Sequence, residues 1–200
     1  AWLAAVFLSL ALMRLPALAD RINLSPDATE YIDIARNFAA GNGLVLNIRA
    51  YFFGDSLPIP YPAASLRSLL YPLLMGGLYS VVPSVAVFQW FNFVLFFLNL
   101  VLIAQILRPL LPFRLLAYSL LLVGLSEPMF LTSIFPWTEQ TAFTWLLLAM
   151  LMASRELHSR WGPAGALSEG VIAGLAAISR PEYILVGMLF LAWLLLRKER

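Results

Sequence analysis

The chain has 200 residues, of which 62% are hydrophobic and 12% charged, with a net charge of +2 and a mean hydropathy of +0.85. A soluble domain is typically about 45–50% apolar and about 25% charged, so this much apolar surface does not fit one small water-soluble core. The absence of cysteine excludes disulfides, thiolate zinc sites and thiol catalysis; the single histidine, His158, has no second His or Cys for a metal cluster, and no basic patch interleaved with aromatics points to nucleic acid.

Residues 2–19 read as a first apolar span, closed by the polar "DRIN". No signal-peptide layout precedes it, and the chain reads as the N-terminal part of a longer protein. Residues 20–84 read as a first outer loop carrying amphipathic juxtamembrane helices. Within it Ser25-Pro26-Asp27 is a helix start: Ser at the N-cap, Pro in the first turn, Asp at the positive end of the dipole. "GNG" at Gly41–Gly43 supplies the stop. Between them Tyr31, Ile34, Ala35 and Phe38 form an i, i+3, i+4, i+7 stripe, which predicts a helix lying on the outer membrane surface. Asp27 heads that stripe, Glu30 is one turn on, and Asp33 points to another face. Asp27 has two readings from spacing alone: a helix-capping charge, or a carboxylate at the lipid–water boundary acting as a general base.

Residues 69–83 are apolar but short for a span of about 20 residues, and predict a half-inserted or surface-lying helix. Spans are then expected at 85–107, 115–133, 138–154, 165–179 and 183–196, for about six in all. This gives an all-α, polytopic helical membrane protein with a single transmembrane domain over residues 1–200. Arg108 and Arg114, Arg155 and Arg160, and Arg197, Lys198 and Arg200 fall on one side, against Arg180 alone in the short loops opposite. That asymmetry predicts a cytoplasmic start and an external 20–66 segment.

Glu139 follows Pro136 at the outer end of a span, where a helix-first-turn role competes with a site role. Ser126-Glu127-Pro128 reads as a helix break. Arg180 and Glu182 flank Pro181 and are expected to pair. Asn92 and Asn99 are expected to glue helices together; Trp2, Trp90, Trp137 and Trp161 are expected to anchor span ends.

The segment "PDATEYIDIARNFAAGNGL" resembles the first outer-loop signature of the GT-C membrane glycosyltransferases, in which an acid precedes a Tyr, an A-R-N helix and G-x-G. "RSLLYPLLMGGLY" from Arg67, "PWTEQTAFTWLLLAM" from Pro136 and "GLAAISRPEYILV" from Gly174 resemble three further family stretches, in the same order. The family's two adjacent acids are absent here, because Pro26 precedes Asp27, and Thr29 and Glu30 stand where aromatic or small residues are usual. The resemblance implies transfer of a sugar from a polyprenyl-phosphate donor to an acceptor on the extracytoplasmic face, as in protein O-mannosyltransferases and aminoarabinose transferases. It implies Asp27 as general base and Glu139 as a second catalytic acid. Arg67 and Arg49 would bind the departing phosphate, a divalent cation being the other source of that charge, with Tyr31 and Glu30 beside them. Arg67 as a snorkelling interfacial anchor is the plainer alternative. Membrane lipids are the other expected partners. A polytopic transporter and a non-catalytic protein of the same fold are the rival readings.

Overall fold

A computed structural model describes residues 2–19, 24–48, 59–62, 67–154, 157–180, 182–185 and 188–189, the side chains of 61 and 157–161 excepted. Arg49, Arg155, the side chains of His158, Arg160 and Trp161, most of the span expected at 183–196 and the terminal basic residues lie outside the described residues.

The described chain is almost wholly helical: α1 (Trp2–Ala19), α2 (Pro26–Ala39), α3 (Leu70–Val81), α4 (Ala86–Leu107), α5 (Phe113–Leu125), α6 (Glu127–Ile134), α7 (Glu139–Ser154) and α8 (Leu157–Ser179). One short antiparallel pairing, β1 (Val45–Leu46) with β2 (Tyr61–Pro62), interrupts the pattern. By length and composition α1 and α4 can each cross a membrane, and the bent pair α5–α6 makes a third candidate span if counted as one. Six uninterrupted spans are therefore not what the described residues form. α7 has only 16 residues, and α8 contains a break at Gly162, where φ is +56°.

The span expected at 115–133 is two helices, bent by 63°. The cause is local. Pro128 has no N–H, so the Gly124 carbonyl loses its normal i+4 donor. Ser126 turns extended, and Pro128 sits in the first turn of a new helix. The orphaned carbonyl is taken by Arg14 of α1, whose Nη2 donates to Gly124 O at 2.5 Å while Nε donates to Ser133 Oγ at 2.8 Å. Arg14 is fully buried, its guanidinium 4.0 Å from the Phe96 ring centroid. At Gly124 α1 and α5 also meet closely, since a Cβ there would lie 2.4 Å from Leu10 Cδ1.

Two apolar cores follow. Leu10, Phe96, Leu100, Leu116 and Leu120 join α1, α4 and α5. Tyr31, Ile32, Ala35, Tyr71, Met75 and Phe88 join α2, α3 and α4. The second core corrects one expectation. The α2 stripe is not spread on a membrane surface; Tyr31, Ile34 and Ala35 are buried in protein, and only Phe38 of the four stays exposed. Gly76 permits this, because a Cβ there would lie 2.6 Å from Phe38 Cδ1 and 2.9 Å from Ala35 O.

A polar ladder fixes the chain between α6 and α7. Asn92 Nδ2 donates to the carbonyls of Phe135 (2.6 Å) and Trp137 (2.8 Å), which no helix satisfies. Asn99 bonds Gln140 Oε1 at 2.7 Å and accepts from Thr144 Oγ1 at 2.8 Å. Both asparagines bind helices together, as expected, and the ladder sets where Glu139 begins α7.

Candidate functional site

The start of α2 forms as the sequence predicts. Ser25 is extended, its hydroxyl accepts from Ala28 N, and Pro26 and Asp27 occupy the first turn. Gly41 and Gly43 terminate the helix at φ values of +79° and +81°. On the opposite face Asp33 accepts from Asn47 N at 2.6 Å, tying the helix to the segment after β1.

This start holds the first of two charged groups. Arg67 donates from Nη2 to Asp27 Oδ1 and from Nε to Glu30 Oε2, both at 2.5 Å. The carboxylates differ in setting: the Glu30 side chain is 7% exposed and that of Asp27 is 54% exposed. Asp27 Oδ2 has no hydrogen-bond partner among the described residues. The Arg67 guanidinium carbon lies 5.7 Å from the Tyr31 ring centroid. Burial alone would lower the Arg67 pKa, but Glu30 and Asp27 outweigh it and raise the pKa above the ordinary value. Arg67 is thus anchored in protein by two carboxylates.

The second group lies at the start of α7 and the end of α8. Glu139 Oε1 accepts from Arg180 Nη1, and Arg180 Nε lies 3.4 Å from Glu182. The other Glu139 oxygen is buried without a hydrogen-bond partner. Arg180 and Glu182 pair as expected, but Arg180 also reaches Glu139, which local spacing did not reveal. Burial works to lower the Arg180 pKa, and the two glutamates outweigh it, leaving it raised.

Tyr31 stands near both groups. Burial raises its pKa, the adjacent Thr138 hydroxyl and Arg67 lower it, and Asp27 and Glu139 each push it up. It packs edge-on to Tyr71 at 5.6 Å. Tyr71 is fully buried, its hydroxyl near the Asn92 side chain but making no hydrogen bond, and burial holds its pKa well above the ordinary value although Asn92 lowers it. Two further bonds close the end of the bundle. Trp137 Nε1 donates to Ser25 Oγ at 2.7 Å, and Ser68 Oγ donates to Ile178 O at 2.5 Å. Trp137 is therefore a tie to the α2 N-cap, whereas Trp2 and Trp90 are exposed.

Five of the six expected site residues, Asp27, Glu30, Tyr31, Arg67 and Glu139, thus come together at one end of the bundle; the sixth, Arg49, lies outside the described residues. Arg180 joins them. Glu127 is exposed on the α6 first turn and takes no part. Among the described residues no group of three or more His, Asp or Glu side chains is arranged to hold a metal ion.

The fold and site define an all-helical bundle, with two or three helices able to cross a membrane and a paired acid–arginine cluster at one end. Comparison with protein-family models, with curated proteins and with solved structures returned no match.

Proposed function

We propose that this chain belongs to an integral membrane glycosyltransferase of the GT-C type, using a polyprenyl-phosphate-linked sugar on the extracytoplasmic face. The observation that carries the reading is the convergence of Asp27, Arg67, Glu139 and Arg180, drawn from four stretches whose order resembles that family. In this reading α7 and α8 cross the membrane as a packed pair with α4, which gives the multi-pass arrangement that composition implies.

The proposed chemistry uses Asp27 Oδ2, the oxygen that Arg67 does not hold. It accepts the proton of an acceptor hydroxyl, whose oxygen forms a new bond to the anomeric carbon of the sugar. The bond from that carbon to the phosphate oxygen breaks, and the polyprenyl phosphate leaves with the electron pair. Arg67 supplies positive charge to the departing phosphate and, through Glu30, is held in place before substrate arrives. Glu139, anchored by Arg180, adds a second carboxylate beside the site. Tyr31, packed edge-on to Tyr71 and beside the Arg67 guanidinium, supports the site from within the protein.

A transporter reading draws on the broken α5–α6 helix and the buried Arg14. Arg14 directs its guanidinium to Leu10 O, Gly124 O and Ser133 Oγ, inside protein. That arrangement favours a structural clamp over a substrate site.

The test is transfer from radiolabelled polyprenyl-phosphate sugars by the full-length protein in membranes, comparing wild type with Asp27→Asn at equal expression. Transfer that the substitution abolishes supports the reading. Transfer that survives it removes Asp27 as the base, and no transfer from any donor returns the transporter and scaffold readings.

A further inference from the structure

A groove of about 770 Å³ opens at the other end of the bundle, between the first turns of α1, the last turns of α4 and the start of α5. Apart from Gln105 and Arg108 its walls are apolar: Leu3 and Phe7 from α1, Val101 and Ala104 from α4, Leu116 from α5. Its volume is within the range of small-ligand clefts, about 300–1,000 Å³. Asn92, which fixes the loop before Glu139, and Arg108, which lines the groove, are separated by roughly 24 Å of helix rise along α4. The groove is therefore distinct from the acid–arginine cluster.

Its polar edge has one sign. Arg108 lines the groove, and Arg114 stands on the first turn of α5 beside the lining residue Phe113. Both arginines are exposed, and neither guanidinium has an ion-pair or hydrogen-bond partner among the described residues. Among the described residues no carboxylate lines the groove. This contrasts with Arg67 and Arg180, which are each held by two acids. An apolar slot beside two exposed guanidiniums is complementary to an amphiphile with a hydrocarbon chain and a negatively charged headgroup.

We infer that this groove is a binding site for an anionic membrane phospholipid, its acyl chain against Phe7, Ala104 and Leu116 and its phosphate at Arg108 and Arg114. The site rests on membrane insertion of α1 and α4 and is independent of glycosyl transfer. It would tie the α4–α5 connection to one leaflet.

The full-length protein is reconstituted in bilayers of equal parts phosphatidylglycerol and phosphatidylcholine, extracted in mild detergent, and its retained lipid measured by native mass spectrometry. Wild type is expected to retain phosphatidylglycerol in preference to phosphatidylcholine. Each arginine near a headgroup favours an anionic lipid about fivefold, so Arg108→Gln with Arg114→Gln should lower the preference about thirtyfold. Both positions are exposed, so the fold is left intact. Ala104→Trp, which fills the groove and spares both arginines, should lose retained lipid of either kind. A preference unchanged in the arginine variant, or retention unchanged in the filled one, overturns the site. Wild type retaining no lipid also overturns it, as when another protein segment fills the groove. Extraction of the protein from membranes by alkaline carbonate would instead sink the membrane reading itself.

Discussion

Arg67 reaches Asp27 across forty residues of chain, its Nη2 2.5 Å from Oδ1, while its Nε holds the buried Glu30. The two contacts have different energetic weight. Asp27 is exposed and water competes for it; Glu30 is enclosed, and without Arg67 it is a buried carboxylate with no counter-charge. Arg67→Gln should therefore destabilise the protein by about 3 kcal/mol. Adding Glu30→Gln should return most of that loss. A double-mutant cycle on thermal unfolding in detergent checks it, and additive losses would show that the pair is not coupled.

Asp27→Asn separates activity from stability. The side chain is 54% exposed and makes one of the two bonds to Arg67, so its loss should cost less than about 1 kcal/mol. Loss of a general base lowers turnover by about 100-fold to 10,000-fold. The expected result is an unfolding temperature close to wild type with transfer reduced at least about 100-fold. A large fall in unfolding temperature would mean that Asp27 supports the α2 start more than the spacing of its contacts indicates.

Local chemistry explains what was legible in the sequence. Ser25-Pro26-Asp27, the paired glycines after α2 and the Ser126–Pro128 break each act within one helical turn, so each is written in consecutive residues. Asn92 and Asn99 were legible as glue because an amide inside an apolar helix needs partners. The pairs Arg67–Asp27 and Arg180–Glu139 span forty and forty-one residues, and no periodicity encodes a contact of that range. The α2 stripe showed that one face is apolar without showing what covers it. Gly76 decides that, by letting α3 approach where a lipid surface was expected. Arg14 carries no local signal of its role, a lone arginine in an apolar run. Its partner is a carbonyl created by a proline 114 positions later, at Pro128.

Adjacent glycines in α3 give a controlled packing test. A Cβ at Gly76 would meet Phe38 and the Ala35 carbonyl, whereas at Gly77 nothing lies within 4 Å. Backbone oxygen cannot move aside as a side chain can, so Gly76→Ala should destabilise by about 1–3 kcal/mol. Gly77→Ala should be neutral or stabilising by up to about 1 kcal/mol, from helix propensity. Equal effects in thermal unfolding would show that α2 and α3 are not in close contact.

Alkaline pH should weaken the α2–α3–α4 core. Tyr31 and Tyr71 both have raised pKa values, and burial is the largest cause in each. Unfolded tyrosine ionises near pH 10. Above that value the unfolded state binds fewer protons than the native state, so stability falls as pH rises towards the native pKa values. Tyr71→Phe should flatten this decline. Its cost at neutral pH should be small, because the hydroxyl approaches the Asn92 side chain without completing a hydrogen bond. A pH series of unfolding temperatures in both proteins reads the difference, and parallel curves would exclude Tyr71 as a source.

Arg14 and Pro128 should be coupled although they donate nothing to each other. Pro128 deprives the Gly124 carbonyl of a donor, and Arg14 supplies one from α1. Arg14→Leu leaves the Gly124 carbonyl without a donor, at a cost of about 1–3 kcal/mol for a buried group left unsatisfied, while Ser133 keeps its bond to the Phe130 carbonyl. Arg14→Lys should recover little, because an ammonium cannot span the three acceptors that the planar fork reaches. Pro128→Ala restores an N–H four residues beyond Gly124. Combined with Arg14→Leu it should regain part of the loss, even though the same change alone removes the residue that starts α6. The sign of the coupling energy in thermal unfolding decides the matter: a favourable term shows that Arg14 is in the span to compensate the break, and strict additivity shows that it is held there by Phe96 and Ser133 instead.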